Sequence, residues 1–236
     1  MSFLERPLPT LFHPAARREK AFATFAKQEG LGFSPEDPIG LVDPELQIFR
    51  VGRDPRCTNV VWGTWQGVAV AAADLWFSRE KKQAEYGPGY SVAEVQLEQD
   101  VVLPGLTISR GKPPMELRSI PPIEFESGDF NGSFQVRCRD REFAFQLVDV
   151  QMMEWLVATR DGFGYQVGGR RCLVHSHRLA PEALIPLIAA AKAFHDHVPR
   201  LVLTGYARPG PAAGKAPEPP EPPRPSATGG RGRMST

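Results

Sequence analysis

The sequence predicts an α+β fold: a mainly antiparallel, partly curled β-sheet with helices packed on one face and an amphipathic helix closing the body. Three observations carry that prediction. The stretches Asn59 to Phe77 and Tyr90 to Val101 are rich in β-branched and aromatic residues, and in the second Val92, Glu94, Gln96 and Glu98 alternate with Ala93, Val95, Leu97 and Gln99. Gly168-Gly169 stands between two strand-like runs, Tyr165 to Val167 and Arg170 to Ser176, where a two-residue hairpin turn calls for positive φ at both positions. Two later segments, Arg141 to Arg160 and Pro181 to Val198, repeat apolar residues at helical spacing instead.

Along the chain, residues 1–13 hold two prolines and no period, which predicts an extended arm. Pro14 is a favourable first helical residue; Ala21, Phe22, Phe25 and Ala26 share a face, and Gly30 supplies the stop. Residues 34–58 are proline-rich around Leu46 to Val51 and read as loop, strand, loop. Val60 to Phe77 runs long enough for a membrane span with a single charge, yet Gly63, Thr64, Gln66, Gly67, Asp74 and its alanines argue for a β-hairpin turning near Gln66-Gly67.

The charged link from Ser78 to Gly89 predicts an exposed, mobile loop, and Thr107 to Arg110 a further strand. In Ser133 to Cys138, Phe134, Val136 and Cys138 face the core while Gln135, Arg137 and Arg139 face water. Asp140 is placed to cap a helical run to about Arg160 that Asp149 divides. The final helix, kinked at Pro186, ends at Pro199. Beyond it the chain turns to proline and glycine, so the expected organisation is one domain over 14–205, with a subdomain junction near 104–122 as the alternative, and a disordered tail over 206–236.

Charge and composition narrow the function classes. The 236 residues are 42% hydrophobic and 23% charged, an ordinary globular balance. The net charge of +1 divides into a tail of +3, from Arg208, Lys215, Arg224, Arg231 and Arg233 against Glu218 and Glu221, and a body of −2. A dedicated nucleic-acid binder shows a far larger basic excess, so nucleic acid is disfavoured as a partner. Arginine outnumbers lysine, as a GC-rich genome would produce. Cys57, Cys138 and Cys172 are odd in number and far apart, and Met1 to Pro14 lacks a secretory pattern; the expected compartment is the cytoplasm.

Few residues point to chemistry. His175 and His177 would share a strand face and are the candidate metal ligands, with Cys172 on the opposite face and His195 and His197 too far round their helix to join as a pair. Arg137, Arg139 and Arg171, with Arg141, Arg170 and Arg178, would form an anion-binding stripe if their strands were neighbours. Glu124, Glu126 and Asp129 make an acidic group amid turn chemistry, and Asp129 to Ser133 starts like a calcium loop without completing one. Trp62, Trp65, Trp76 and Trp155 read as core. No nucleotide, hydrolase, zinc-protease or Cys-x-x-Cys motif is present, so no catalytic residue and no cofactor are assigned.

Leu103-Pro104-Gly105-Leu106, Phe125-Glu126-Ser127, Phe130-Asn131, Phe134-Gln135-Val136, Asp140, Ala144 and Met153-Glu154-Trp155-Leu156 resemble a bacterial family of unknown function, above all its actinobacterial members. The resemblance covers most of the body and none of the tail. It implies a structural role for these motifs and carries over no catalytic residue; some relatives are membrane-anchored, a feature this sequence is expected to lack. The functional expectation is a non-enzymatic binding or scaffold module with protein partners and a flexible basic tail. The alternatives are an enzyme with a pocket near His175 and His177, or a weak anion or nucleic-acid binder through the arginine stripe.

Overall fold

The computed structural model of the chain describes residues 14–78, 89–98, 100–110, 120–159 and 161–208. The arm over 1–13, the charged link at 79–88, most of the connection after Arg110 and the tail from 209 onward lie outside the described residues. Eight strands form one sheet in the order β1-β2-β3-β4-β8-β7-β5-β6: β1 Gly32–Ser34, β2 Arg53–Trp65, β3 Val68–Ser78, β4 Tyr90–Gln96, β5 Leu103–Arg110, β6 Phe134–Cys138, β7 Gly164–Gly169 and β8 Arg171–His177. Every neighbouring pair is antiparallel, and the sheet stays open, with β1 and β6 at its edges. Six helices accompany it among the described residues: α1 Pro14–Glu29, α2 Gly128–Ser133, α3 Arg141–Leu147, α4 Val150–Thr159, α5 Leu184–Asp196 and α6 Arg200–Gly205. The α+β expectation holds, and no described helix is long and apolar enough to cross a membrane.

Local chemistry sets the boundaries. Gly30, at φ +69, ends α1, and the Leu31 amide reaches back to the Ala26 carbonyl at 2.8 Å, the closing bond of a glycine-terminated helix. The apolar stretch from Val60 is the β2–β3 hairpin: Gln66 and Gly67, at φ 48 and 84, form its turn between the paired Trp65 and Val68. The second hairpin differs by one residue from the sequence reading. Gly168 pairs with Arg171, so Gly169-Arg170 is the turn, and only Gly169 takes positive φ (56), which is the demand of a type II′ turn rather than type I′. Asp140 and Asp149 cap α3 and α4, accepting from the Phe143 and Met152 amides at 3.0 and 2.8 Å. Pro186 lies in the first turn of α5, where a missing N–H costs nothing, and so it tightens the helix start instead of kinking the middle. The chain remains on the body through Arg208, whose amide donates to the Asp100 carbonyl at 2.7 Å, and Tyr206 packs edge-on against Phe143.

The two faces of the sheet are covered differently. Val61, Ala72, Ala93, Val174, Tyr165, Ile108 and Val136 lie in register across seven strands on the face that receives the helices, packing with Phe22, Phe143, Leu156, Leu187 and Phe194 in one core. Each fully buried side chain of this size contributes about 1.5–3 kcal/mol. The opposite face carries Cys57, Val60, Ala73, Leu75, Val92 and Leu173, covered by Leu41, Leu46, Ile48 and Phe49 from a strap over residues 37–51. Leu46 to Val51, expected as a strand, instead holds a 3-10 turn, Gln47–Arg50. Lying on the face of the sheet, the strap has no strand edge to pair with, so it satisfies its backbone locally: Phe49 donates to Leu46 and Val51 to Ile48.

Candidate functional sites

Most of the buried polar side chains in this body hold covering segments on the sheet. Asp74, fully buried in β3, accepts both Nε and an Nη of Arg18 from α1 at 2.6 and 2.5 Å, and the Asn59 side-chain amide at 3.0 Å. Asn59 stands at the β2 bulge with φ 51, and its own amide donates to the Pro35 carbonyl. A carboxylate out of water is tolerable only with such partners. On the strap side, Glu94 of β4 is 2% exposed and meets Arg171 of β8 at 3.2 Å. Burial pushes the Glu94 carboxyl up to about 7 against the pull of Arg171. Arg171 also donates to the Leu41 and Gly40 carbonyls at 2.7 and 3.2 Å and pairs with Asp43, so one guanidinium fastens the strap. Further along, the Ile48 amide donates to Gln166 Oε1 at 3.0 Å.

The histidine pair falls on the strap face. His175 and His177 both face Tyr90, which stacks on His177 and meets His175 edge-on, with 5.4 and 6.2 Å between ring centroids. The His175 ring lies against Gly164, where a Cβ would come within 2.5 Å of it, and its Nε2 lies 3.4 Å from the Gln166 amide nitrogen. With Gln166 Oε1 taken by Ile48, that nitrogen is a donor, so Nε2 accepts and the ring is neutral. Burial, with His177 nearby, lowers the His175 pKa to about 4. Cys172 faces the helix side, in register with Val95 and Val167, and burial pushes its thiol up. Among the described residues no group of three or more His, Cys, Asp or Glu converges in a way that would hold a metal ion.

The arginine stripe does not form. Arg137 and Arg171 share a face, but β5 and β7 stand between their strands, a separation of about 14 Å at ordinary strand spacing. Arg137, expected in water, is 9% exposed: its guanidinium donates to the Ile120 carbonyl and to Gln135 Oε1. The chain returns alongside β6 at Ile123, whose amide donates to the Val136 carbonyl, and this brings the Ile120 carbonyl to the Arg137 guanidinium that the alternation assigned to solvent. Arg139 is exposed beyond the end of β6. Glu124, Glu126 and Asp129 are exposed around α2, whose start is capped by Ser127, and Asn131 bonds both the amide and the carbonyl of Phe125. Trp155 is stacked on His197 at 4.6 Å beside Tyr165 and Phe194.

Among the described residues, open clefts include two beside these contacts. One, of about 480 Å³, runs along α1 between Arg17, Lys20, Ala21 and Phe25 and the start of α5 at Pro181 and Ile185. The other, of about 430 Å³, lies at the β7–β8 turn among Asp43, Glu45, Gly169, Arg170, Arg171 and Arg208. Sequence reasoning missed Glu94, Asp74, Arg18 and Gln166. The available signals were Asp74 as the one charge in an apolar run, and Glu94 in the same alternation phase as the apolar Val92.

No family model matches the chain, and no curated protein matches it. Among solved structures it is similar to the mycobacterial trehalose monomycolate transport factor A, TtfA, at 17% identity and a TM-score of 0.50, over 78% of this chain and 96% of that one. At that identity the likeness concerns the fold. It agrees in part with the resemblance to an actinobacterial family.

Proposed function

We propose that the protein is a non-enzymatic binding or scaffold module of the cytoplasm that acts through protein partners. The observation that carries this reading is the use made of the buried polar groups: Asp74, Gln166 and Arg171, itself paired with buried Glu94, fasten α1 and the strap to the sheet and so stiffen a platform. Buried, unbridged Cys57, Cys138 and Cys172 suit a reducing compartment. The fold is shared with a protein whose name refers to transport rather than to a reaction.

The test is affinity purification of the full chain from its native host, followed by reconstitution of the purified pair. The expected result is a stoichiometric complex that survives gel filtration. Recovery of no reconstitutable partner, together with turnover in a metabolite screen, would reverse the reading. An enzymatic alternative finds its support in neutral His175 beside Tyr90 and His177, and would require that turnover to vanish in His175→Ala.

A further inference from the structure

The end of the sheet where β2 begins and β3 and β8 finish gathers arginine around one tryptophan. Arg53 and Arg56 lie three apart, a spacing that places side chains on opposite faces of a regular strand. Their partners in β3, Ser78 and Trp76, are two apart and share a face. The register shift between the two arginines, with Asp54 at φ 47, accommodates one extra residue in β2 and brings both round to the face of Trp76. Arg178, just past β8, lays its guanidinium over the Trp76 ring at 4.4 Å, while Trp76 Nε1 donates to Thr58 at 2.9 Å. Gly89 permits this approach, since a Cβ there would meet the ring at 3.3 Å and Arg178 Cδ at 3.4 Å.

Arg53, Arg56 and Arg178 are exposed, with Asp54 the acidic residue among them in the described part of the chain and exposed Arg50 just before them in the strap. Among the described residues neither Arg53 nor Arg56 has an ion-pair partner. Among the described residues Arg53 and Arg56 give this patch a local positive charge, set within a body whose net charge is −2.

We infer that this patch docks an acidic segment of a protein partner. The inference rests on the binding-module reading and adds the surface and the chemistry it recognises. Guanidinium groups match carboxylates in a two-pronged geometry, and arginine with tryptophan is the composition that dominates the energetics of protein interfaces. Single-stranded nucleic acid would need an open ring to stack on, and Arg178 occupies the face of Trp76. Among the described residues the exposed large apolar side chains, Ile39, Phe145, Val150, Ile185 and Leu201, are not in the patch, so an anionic membrane would gain charge attraction there without the apolar insertion that strengthens it.

The test measures binding of a fluorescein-labelled glutamate-rich peptide to the full-length chain by anisotropy at low ionic strength. Arg53→Glu/Arg56→Glu is compared with a charge-matched control, Arg139→Glu/Arg200→Glu, on two exposed arginines outside the patch. The patch variant is expected to bind at least about tenfold more weakly with an unchanged melting temperature, and the control to bind like the parent. No binding by the parent, equal loss in both variants, or tighter binding of oligothymidylate or of phosphatidylglycerol vesicles would overturn the assignment. Should a reconstituted partner bind the patch variant normally, this surface is removed and the binding-module reading stands.

Discussion

Glu94 is a carboxylate 2% exposed in β4, held by Arg171 and pushed to about 7 by burial, from an ordinary value of 4.5. The folded state therefore holds this proton more tightly than the unfolded chain does. Its contribution to stability is complete below about pH 4.5 and is lost as pH rises through about 7, a change of about 3 kcal/mol. Glu94→Gln keeps the shape without the charge, so its unfolding midpoint should gain on that of the parent between about pH 5 and pH 8. Midpoints that run parallel across that range would mean that Glu94 is not the titrating group. His175 acts in the opposite sense: its depressed value, about 4 against 6.5, gives stability present above 6.5 and lost as pH falls through 4. Neither role was legible in the sequence, because a strand pattern shows which residues alternate but not which face receives a second cover. His175 and His177 were visible as a pair on one face; the Gln166 amide that fixes His175 as neutral comes from a neighbouring strand.

At the scale of elements, what was legible is what is local. Asp140 and Asp149 could be read as caps because the amides they accept, Phe143 and Met152, are three residues away. Asp140→Ala and Asp149→Ala should each cost about 1 kcal/mol, seen as a fall of roughly 2–4 °C in melting temperature. Additivity is expected in the double variant, since each aspartate serves its own helix. An unchanged melting temperature in either single variant would show that water replaces the cap without loss. Leu46 to Val51 was misread for the complementary reason. Its apolar residues suit a strand, but a strand also requires a free edge, and the strap crosses a sheet face where Gln166 and local turns take its backbone groups. Gly169 likewise shows that a Gly-Gly pair marks a turn without fixing its register.

Across the whole molecule, one sheet carries two covers, and each is fastened by an arginine reaching a buried carboxylate: Arg18 from α1 to Asp74, and Arg171 in the sheet to Glu94 and to the strap carbonyls. Such pairs reveal their energetics when one partner is removed, because the remaining charge is stranded in a medium that solvates it poorly. Arg18→Met keeps an unbranched apolar side chain, removes the guanidinium that lies over the Phe22 ring at 5.0 Å, and leaves Asp74, fully buried, with the Asn59 amide as its remaining side-chain partner among the described residues. The expected loss is on the order of 3–5 kcal/mol. If the stranded charge causes it, adding Asp74→Asn should recover at least about half, since a neutral amide can stay buried beside Asn59 at far lower cost. Denaturant melts of the two single variants and the double variant, analysed as a cycle, separate this from loss of α1 packing. A double variant no more stable than Arg18→Met would assign the loss to the seating of Phe22, Phe25 and Ala26 and would make the ion pair a bystander; recovery would identify Asp74 as the charge that α1 exists to cover.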